Sequence, residues 1–186
     1  MGRLIYSMNV SLDGYVASPD GGLDWGIVDD EIHTWWSDRM READAVVWGR
    51  NVYELMVAYW PTAESDPAAT PAMLEFARNT NPKPKVVFST TLESVTWNAR
   101  LVRGDVGEVL ARLRDEFAGD LVLGGPTLAA QFIRNGLIDE YRLVVHPAIL
   151  GGGLPFFPGL ERPIGLRLID QRRFDSGAVY LGYEAR

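Results

Sequence analysis

The chain has 186 residues, of which 47% are hydrophobic and 23% charged, a composition typical of one soluble globular domain spanning residues 1–186. Its formal net charge of −7 argues against nucleic acid and anionic membranes as partners, because both would have to bind against that field. The chain has no cysteine and two histidines, which excludes disulfides and thiolate sites and leads us to expect no metal.

No stretch approaches the roughly 18 apolar residues of a membrane span. The N-terminus enters a predicted strand at Leu4 without a long apolar leader, so we expect a cytoplasmic protein. Small phosphorylated ligands remain compatible with the net charge if a few arginines are focused locally.

The first predicted strand, 4–10, leads into a long glycine-rich loop that ends near Gly26. The loop contains two turn signals, Asp13-Gly14 and Ser18-Pro19-Asp20-Gly21-Gly22. A long loop inside a compact domain is usually functional and is often a mobile lid. A helix should follow, capped by Asp29 or Asp30 and ending near Arg41. Its predicted buried side consists of Ile32, Trp35, Trp36 and Met40.

Two further predicted strands end in residues that can bind an anion. The apolar run 45–49 leads through Gly49 and Arg50 to Asn51 and a predicted helix, whose first turn offers a guanidinium and backbone amides. The run 85–88 ends in three hydroxyl residues, Ser89, Thr90 and Thr91. Hydroxyls at this place can hold a phosphate, although many strands simply end in serine and threonine.

The strand 121–123 is followed by the strongest of these signals. Gly124 and Gly125 let the backbone turn sharply, and Pro126 suits the first position of a helix. The apolar stripe of that helix would be Leu128, Phe132 and Ile133. Its N-terminus would present free N–H groups to a phosphate, which indicates a nucleotide site. Gly-Gly also occurs as turn chemistry alone, and neither Gly-x-Gly-x-x-Gly nor a Gly-Lys-Ser/Thr loop is present.

The rest of the pattern alternates strands with helices and closes with two strands. The remaining predicted elements are a surface loop at 60–71, helices at 71–78 and 105–117, strands at 98–102 and 139–147, a loop at 151–158, and a hairpin of 166–174 and 178–184. This order predicts an α/β fold of three layers, in which helices cover both faces of a mostly parallel, doubly wound sheet. A C-terminal antiparallel hairpin would form one edge.

Five motifs occur in the order found in proteins of the dihydrofolate-reductase-like fold. They are Ser11-Leu12-Asp13-Gly14, Val47-Trp48-Gly49-Arg50, Ser89-Thr90-Thr91, Leu123-Gly124-Gly125-Pro126-Thr127-Leu128, and His146-Pro147 with Leu150-Gly151-Gly152-Gly153. Together they span nearly the whole chain, which most closely resembles the reductase domain of the bifunctional deaminase/reductase of riboflavin biosynthesis. The zinc deaminase half needs cysteine ligands, so its activity is excluded here.

The resemblance implies a single reductase-like domain with NADPH as its cofactor. The implied cofactor-binding residues are Val16, Ala17, Gly49, Arg50, Asn51, Ser89, Thr90, Gly124, Gly125, Pro126, Thr127 and Leu128. In such a domain Gly124, Gly125 and Thr127 would surround the pyrophosphate. Arg50 and Asn51 would lie on the phosphate side.

The resemblance also distributes the remaining residues along the cofactor. Ser89 and Thr90 would lie near the adenosine 2′-phosphate, whereas Val16 and Ala17 would lie beside the nicotinamide. Trp25 falls where these enzymes keep a tryptophan over the substrate cleft.

One position departs from dihydrofolate reductases, in which a carboxylate on the first helix grips the pterin. Here Ile32 or His33 takes that place, and Asp30 and Glu31 come one turn earlier. Reduction of dihydrofolate or a pterin is therefore an alternative. A non-catalytic nucleotide-binding protein that keeps the fold is a third hypothesis, from another class.

Several single residues have both a functional and a structural interpretation. Asp13 could orient a substrate, although Asp-Gly turns are more often held by their own backbone amides. Trp25, in a glycine-rich loop, is a candidate for substrate contact. His33 is expected to be solvated and His146 to be structural. The tryptophans expected in the core are Trp35, Trp36 and Trp48.

These observations predict hydride transfer from NADPH to an unsaturated carbon or imine of a small heterocyclic or sugar-like substrate. The test compound is the ribosylamino-pyrimidine of riboflavin synthesis. No side chain is an obvious proton donor. We also predict a homodimer, formed through the closing hairpin and the apolar segment 154–157.

Overall fold

A sheet of eight strands forms the centre of the computed structural model, in which residues 2–186 are described. The strands of the protein are β1 Leu4–Ser11, β2 Tyr15–Ala17, β3 Ala45–Gly49, β4 Lys85–Phe88, β5 Ala99–Val102, β6 Leu121–Gly124, β7 Glu140–His146, β8 Leu154–Pro155, β9 Leu166–Arg173 and β10 Val179–Ala185. In the sheet order β5-β4-β3-β6-β1-β7-β10-β9, the first six strands are parallel, and β10 is antiparallel to both neighbours. The predicted parallel sheet with a closing antiparallel hairpin is confirmed.

Helices precede or follow most of the strands. They are α1 Asp30–Glu42, α2 Arg50–Val57, α3 Pro71–Thr80, α4 Val106–Glu116 and α5 Pro126–Arg134. Side chains cap three of them at the N-terminus: Asp29 caps α1, Thr70 caps α3 and Asp105 caps α4. The remaining two, α2 and α5, begin after Gly49 and Gly125, which have no side chain to cap them.

Alternate side chains of the buried strands pack into cores on opposite faces of the sheet. On β6, Leu121 and Leu123 pack in the core that contains residues of α4 and α5. Val122 points the other way, into the core formed with residues of α1, α2 and α3. Burial on both faces explains why the strand sequence is continuously apolar. The predicted three-layer architecture is therefore confirmed.

Strands β2 and β8 form a small second sheet that the sequence pattern did not predict. They tie the glycine-rich loop after β1 to the segment that follows β7. Gly153 is required at this contact, because it has a φ of +126° and an added Cβ would overlap the carbonyl oxygen of Ala17. The loop after β1 is thereby held at its start, while residues 18–29 have no helix or strand.

Two local expectations need correction. The predicted surface loop 60–71 contains a 3-10 helix, Trp60–Ser65, which packs against α3. Trp36 is only half-buried; it packs against two of the core clusters, and its indole N–H donates to Asn9. None of the helices within residues 2–186 has the length and apolar character needed to cross a bilayer.

Candidate functional site

The carboxyl ends of β3, β4 and β6 open onto a cavity of about 990 Å³. These strands are neighbours in the order β4-β3-β6, so the three segments that follow them meet along one rim of the sheet. The small sheet of β2 and β8 and the end of β5 complete the walls. A cavity of this size lies at the upper end of the range for small-molecule sites.

The structure brings most of the predicted cofactor-binding residues together in this cavity. Those that line it are Val16, Ala17, Gly49, Arg50, Asn51, Ser89, Thr90, Gly125, Pro126, Thr127 and Leu128. Gly124 lies buried behind the wall, and Asp13 and Trp25 lie elsewhere. The three strand ends therefore meet at one cavity. The roles of their residues in binding stay a prediction.

Both helices that lack a side-chain cap begin at this cavity. The N-cap of α2 is Gly49 and the N-cap of α5 is Gly125, and each lines the wall. The first N–H groups of any α-helix have no partner within the helix. At α1, α3 and α4 a side chain accepts at least one of them, whereas at α2 and α5 no side chain caps them.

The two glycines before α5 are required for close packing. An added Cβ at Gly124 would lie 3.0 Å from the Trp48 ring, and one at Gly125 would lie 3.0 Å from Cγ2 of Val52. Gly125 also has a φ of +101°, which few other residues adopt. Its N–H donates to the sulfur of Met8 at 3.3 Å. The structure thus gives these glycines a packing reason in addition to the predicted approach of a ligand.

Arg50 is held across the rim of the cavity and is half-exposed. Its Nε donates to Glu54 at 2.9 Å, and its terminal nitrogen donates to the hydroxyl of Thr91 at 3.2 Å. The hydroxyl oxygen of Ser89 accepts the N–H groups of Thr91 and Leu92, which fixes the turn after β4. The guanidinium and the serine-threonine turn therefore form one corner of the cavity that presents a positive charge and hydroxyl groups.

Arg103 lines the same corner and was missed by the sequence analysis. It follows the end of β5 and donates to the carbonyl oxygen of Leu92 at 2.9 Å. It is succeeded by Gly104, whose φ is +116°. A strand end with an adjoining arginine and glycine is the pattern that singled out Gly49 and Arg50, so it could have identified this residue too.

The charge of the wall is opposite to that of the chain. Arg50 and Arg103 line the cavity, and none of the lining residues is aspartate or glutamate. The whole chain carries 25 acidic and 18 basic residues. The far end of the cavity is apolar and includes Met8, Leu23 and Leu154. One cavity thus combines a positively charged end with an apolar end.

Asp13 lies outside the cavity and joins two loops. Its carboxylate accepts the Ser11 hydroxyl at 2.7 Å and the N–H groups of Leu150 and Gly151 at 3.1 and 2.7 Å. The hydrogen bond from Ser11 is the main reason why the pKa of Asp13 lies below its usual value. These bonds give the residue a structural purpose, and its predicted contact with a substrate is untested.

Trp25 packs against His146, on the face of the main sheet that is opposite to the cavity. The two rings meet edge to face with centroids 5.7 Å apart. His146 is buried at the end of β7, and its Nε2 lies 3.1 Å from Oδ1 of Asn9. Burial lowers the pKa of His146, and nearby Asp29 only partly offsets this.

The resemblance puts Ile32 or His33 of α1 at the position where dihydrofolate reductases grip the pterin with a carboxylate. Ile32 is fully buried there. Asp30 accepts the hydroxyl of Thr70, and Glu31 pairs with Arg172. His33, expected to be solvated, is half-buried against a tryptophan, and burial lowers its pKa.

The fold and the cavity define an α/β protein of the dihydrofolate-reductase-like class. The model of the RibD C-terminal domain family matches residues 3–180, and the chain belongs to that family. YyaP of Bacillus subtilis (strain 168), described as uncharacterised, is 32% identical over 182 residues, which cover 97% of this chain and 94% of YyaP.

Solved structures agree with this class. A structure from Shewanella sp. PV-4, whose name links it to riboflavin biosynthesis, is 25% identical, covers 99% of both chains and has a TM-score of 0.78. Dihydrofolate reductase from Enterococcus faecalis, complexed with NADP(H) and RAB-propyl, is 17% identical and has a TM-score of 0.68, covering 100% of this chain and 97% of its own. The second likeness concerns the fold alone.

Proposed function

We propose that the protein is an NADPH-dependent reductase. The observation that carries this proposal is the cavity, which receives two helix N-termini without side-chain caps and two arginines but no carboxylate. NADPH has two separate anionic groups and one flat, weakly polar ring, so it needs two anion sites and an apolar pocket. The family and the NADP(H) complex of the Enterococcus reductase with the same fold support this choice.

The residues of the cavity fit the parts of this cofactor. The N–H groups at the start of α5, at Thr127 and Leu128, would hold the pyrophosphate. Arg50, Arg103 and the turn of Ser89 and Thr90 would hold the 2′-phosphate. Because Arg50 is already positioned by Glu54, little side-chain freedom would be lost when a phosphate binds.

The apolar end of the cavity would receive the nicotinamide. Met8, Val16 and Ala17 line this end, and the pairing of β2 with β8 fixes the wall. Bound NADPH would supply a hydride, and the protein would orient the ring and exclude water. The proposed acceptor is an unsaturated carbon or imine of a heterocyclic or sugar-like compound. The ribosylamino-pyrimidine of riboflavin synthesis is the compound to test first.

Titration with NADPH and NADH tests the cofactor assignment. Tryptophan fluorescence should give tighter binding of NADPH, and Arg50→Ala should weaken NADPH by about tenfold to hundredfold while leaving NADH within about threefold. Arg112→Ala is the matched control. Arg112 is exposed on α4 and does not line the cavity, so this substitution removes the same charge away from the wall. Equal affinities for both nucleotides in the wild type, or equal losses in both variants, would contradict the assignment.

Reduction of dihydrofolate is less well supported by the site. The position on α1 that would grip a pterin falls on Ile32 or His33, neither of which is a carboxylate, and the neighbouring carboxylates of Asp30 and Glu31 are engaged by Thr70 and Arg172. Neither a buried isoleucine nor a histidine whose pKa is lowered by burial replaces the carboxylate that would pair with a charged pterin. If methotrexate competed with the test compound for binding, dihydrofolate reduction would become the better supported function.

We also propose a homodimer built on the edge of the sheet. Strand β9 is an edge strand of eight residues, and Leu168 and Ile169 on it are exposed. Long edges with exposed apolar side chains are sites of strand pairing. Leu154 and Phe157 add exposed apolar surface. Light scattering should return twice 20.7 kDa, and Ile169→Lys should return the monomer mass.

A further inference from the structure

Met8 lies where β1 runs past the end of its pairing with β6. The two strands pair from Leu4 to Tyr6, opposite residues 121–123, and the pairing stops before the turn at Gly125. Side chains alternate along β1, so Met8 points to the same face as Tyr6 and packs against the core of α4 and α5. Met8 is half-buried, and it lines the cavity beside the turn that begins α5.

The sulfur of Met8 is a hydrogen-bond acceptor in that turn. Its Sδ accepts the N–H of Gly125, the buried N-cap residue of α5, at 3.3 Å. A buried backbone N–H needs an acceptor, and a thioether sulfur is a weak one. The sulfur has two lone pairs, so a single hydrogen bond leaves the second pair available to an electrophile.

The other methionines among residues 2–186 lie in different surroundings. Met40 is buried in the core formed with α1, α2 and α3, and Met56 is half-buried like Met8 but packs against that core. Met73 is half-buried on α3. Met8 lines the cavity, whereas these three do not. Met8 is thus the methionine that a small solute in the cavity contacts.

We propose that Met8 is an oxidation site through which a hydroperoxide controls the cavity. The second lone pair of Sδ attacks a peroxide oxygen, the O–O bond breaks and an S–O bond forms. The sulfur loses two electrons, the hydroperoxide is reduced to water or to an alcohol, and the side chain becomes methionine sulfoxide. Methionine sulfoxide reductases reverse this step, which makes the modification a switch.

The sulfoxide does not fit the space that the thioether occupies. Its oxygen is a stronger acceptor than the sulfur, and it would take the N–H of Gly125 at about 2.9 Å. Only 3.3 Å separates Sδ from that nitrogen, so the oxygen has no room between them and either the sulfur or the turn must move. Movement of the sulfur changes the apolar end of the cavity, and movement of the turn displaces the start of α5. Both parts belong to the proposed NADPH site, so this consequence rests on the proposed reductase function.

Peptide mapping measures the oxidation itself. In hydrogen peroxide the tryptic peptide 4–39, in which Met8 is the only methionine, should gain one oxygen at least about fivefold faster than Met56. Tandem mass spectra assign that oxygen to Met8 and not to the tryptophans of the peptide. Met56 is the matched reference, because it is half-buried but does not line the cavity. NADP⁺, which does not itself consume peroxide, should slow the reaction at Met8 and leave that at Met56 unchanged.

Calorimetry measures the consequence for the cofactor. Once the peroxide has been removed with catalase, NADPH should bind at least about tenfold more weakly, and treatment with methionine sulfoxide reductases should restore its affinity. Met8→Leu should bind NADPH equally before and after the oxidant, whereas Met56→Leu should lose affinity as the wild type does. Met8→Gln carries an oxygen at about the place of the sulfoxide oxygen, so it should bind NADPH as weakly as the oxidised protein without any oxidant.

The outcomes separate the oxidation site from the reductase proposal. Equal rates at Met8 and Met56, or an unchanged NADPH affinity once Met8 is fully oxidised, would overturn the switch. If that happens while NADPH still reduces the test compound, the reductase stands. If Met8 is oxidised selectively and reversibly but no nicotinamide nucleotide binds the untreated protein, the reductase fails and the oxidation site stands.

Discussion

Replacing Gly125 by alanine should destabilise the protein more than the same replacement at Gly104. Both glycines line the cavity and have positive φ values, +101° and +116°. Each alanine should therefore cost about 1–3 kcal/mol of backbone strain. At Gly104 the added Cβ meets nothing within 4 Å, whereas at Gly125 it lies 3.0 Å from Cγ2 of Val52. Moving Val52 should add about 1–3 kcal/mol.

Urea unfolding measures this difference directly. We expect a loss of about 1–3 kcal/mol for Gly104→Ala and about 2–6 kcal/mol for Gly125→Ala. A cycle with Val52→Ala should show favourable coupling to Gly125→Ala of about 1 kcal/mol or more, and none to Gly104→Ala. Equal losses in the two glycine variants, or no coupling to Val52, would refute the argument that close packing fixes this glycine.

Lys85 is buried, and burial lowers its pKa from 10.5 to about 8, so the unfolded chain holds more protons between these values. This group should raise the free energy of unfolding by up to about 1.4 kcal/mol per pH unit across this window. Urea unfolding at several pH values measures the slope, and a Lys85→Met variant with the same slope as the wild type would contradict this prediction. Burial also lowers the pKa of His33 and of His146, so the free energy of unfolding should fall as the pH drops below about 6.5. A melting temperature that stays constant from pH 7 to 5.5 would contradict this prediction. Asp13→Asn should speed proteolysis of the 148–153 loop without changing NADPH affinity, whereas lost turnover with the loop still protected would assign Asp13 to the substrate.

The parts of the site that were predictable are those encoded locally. An apolar run followed by Gly-Arg, by three hydroxyl residues or by Gly-Gly-Pro specifies a strand end and a turn within a few residues. Parallel strands place their carboxyl ends on one edge, so residues as distant as Arg50 and Gly125 were expected to meet. The structure brings both to one cavity.

The parts that were missed depend on pairing across long separations. Strands β2 and β8 have three and two residues, which is too short for a periodic signal, and they pair only because β1 and β7 are neighbours. Because β1 and β7 are neighbours, the side chains of Asn9 and His146 also form a hydrogen bond, although they are 137 positions apart in the sequence.

The placement of charge explains how an acidic chain can offer a site to a dianionic phosphate. Glu54, one turn along α2 from Arg50, is paired with it, and Asp105 uses its carboxylate to cap α4. Arg103 has no carboxylate partner among the residues described by the structure, and it donates only to a backbone carbonyl. At physiological ionic strength charges more than about 8 Å apart are largely screened. Arg50 and Arg103 therefore set the local potential at the turn of Ser89, and the net charge of −7 acts mainly on large polyanions.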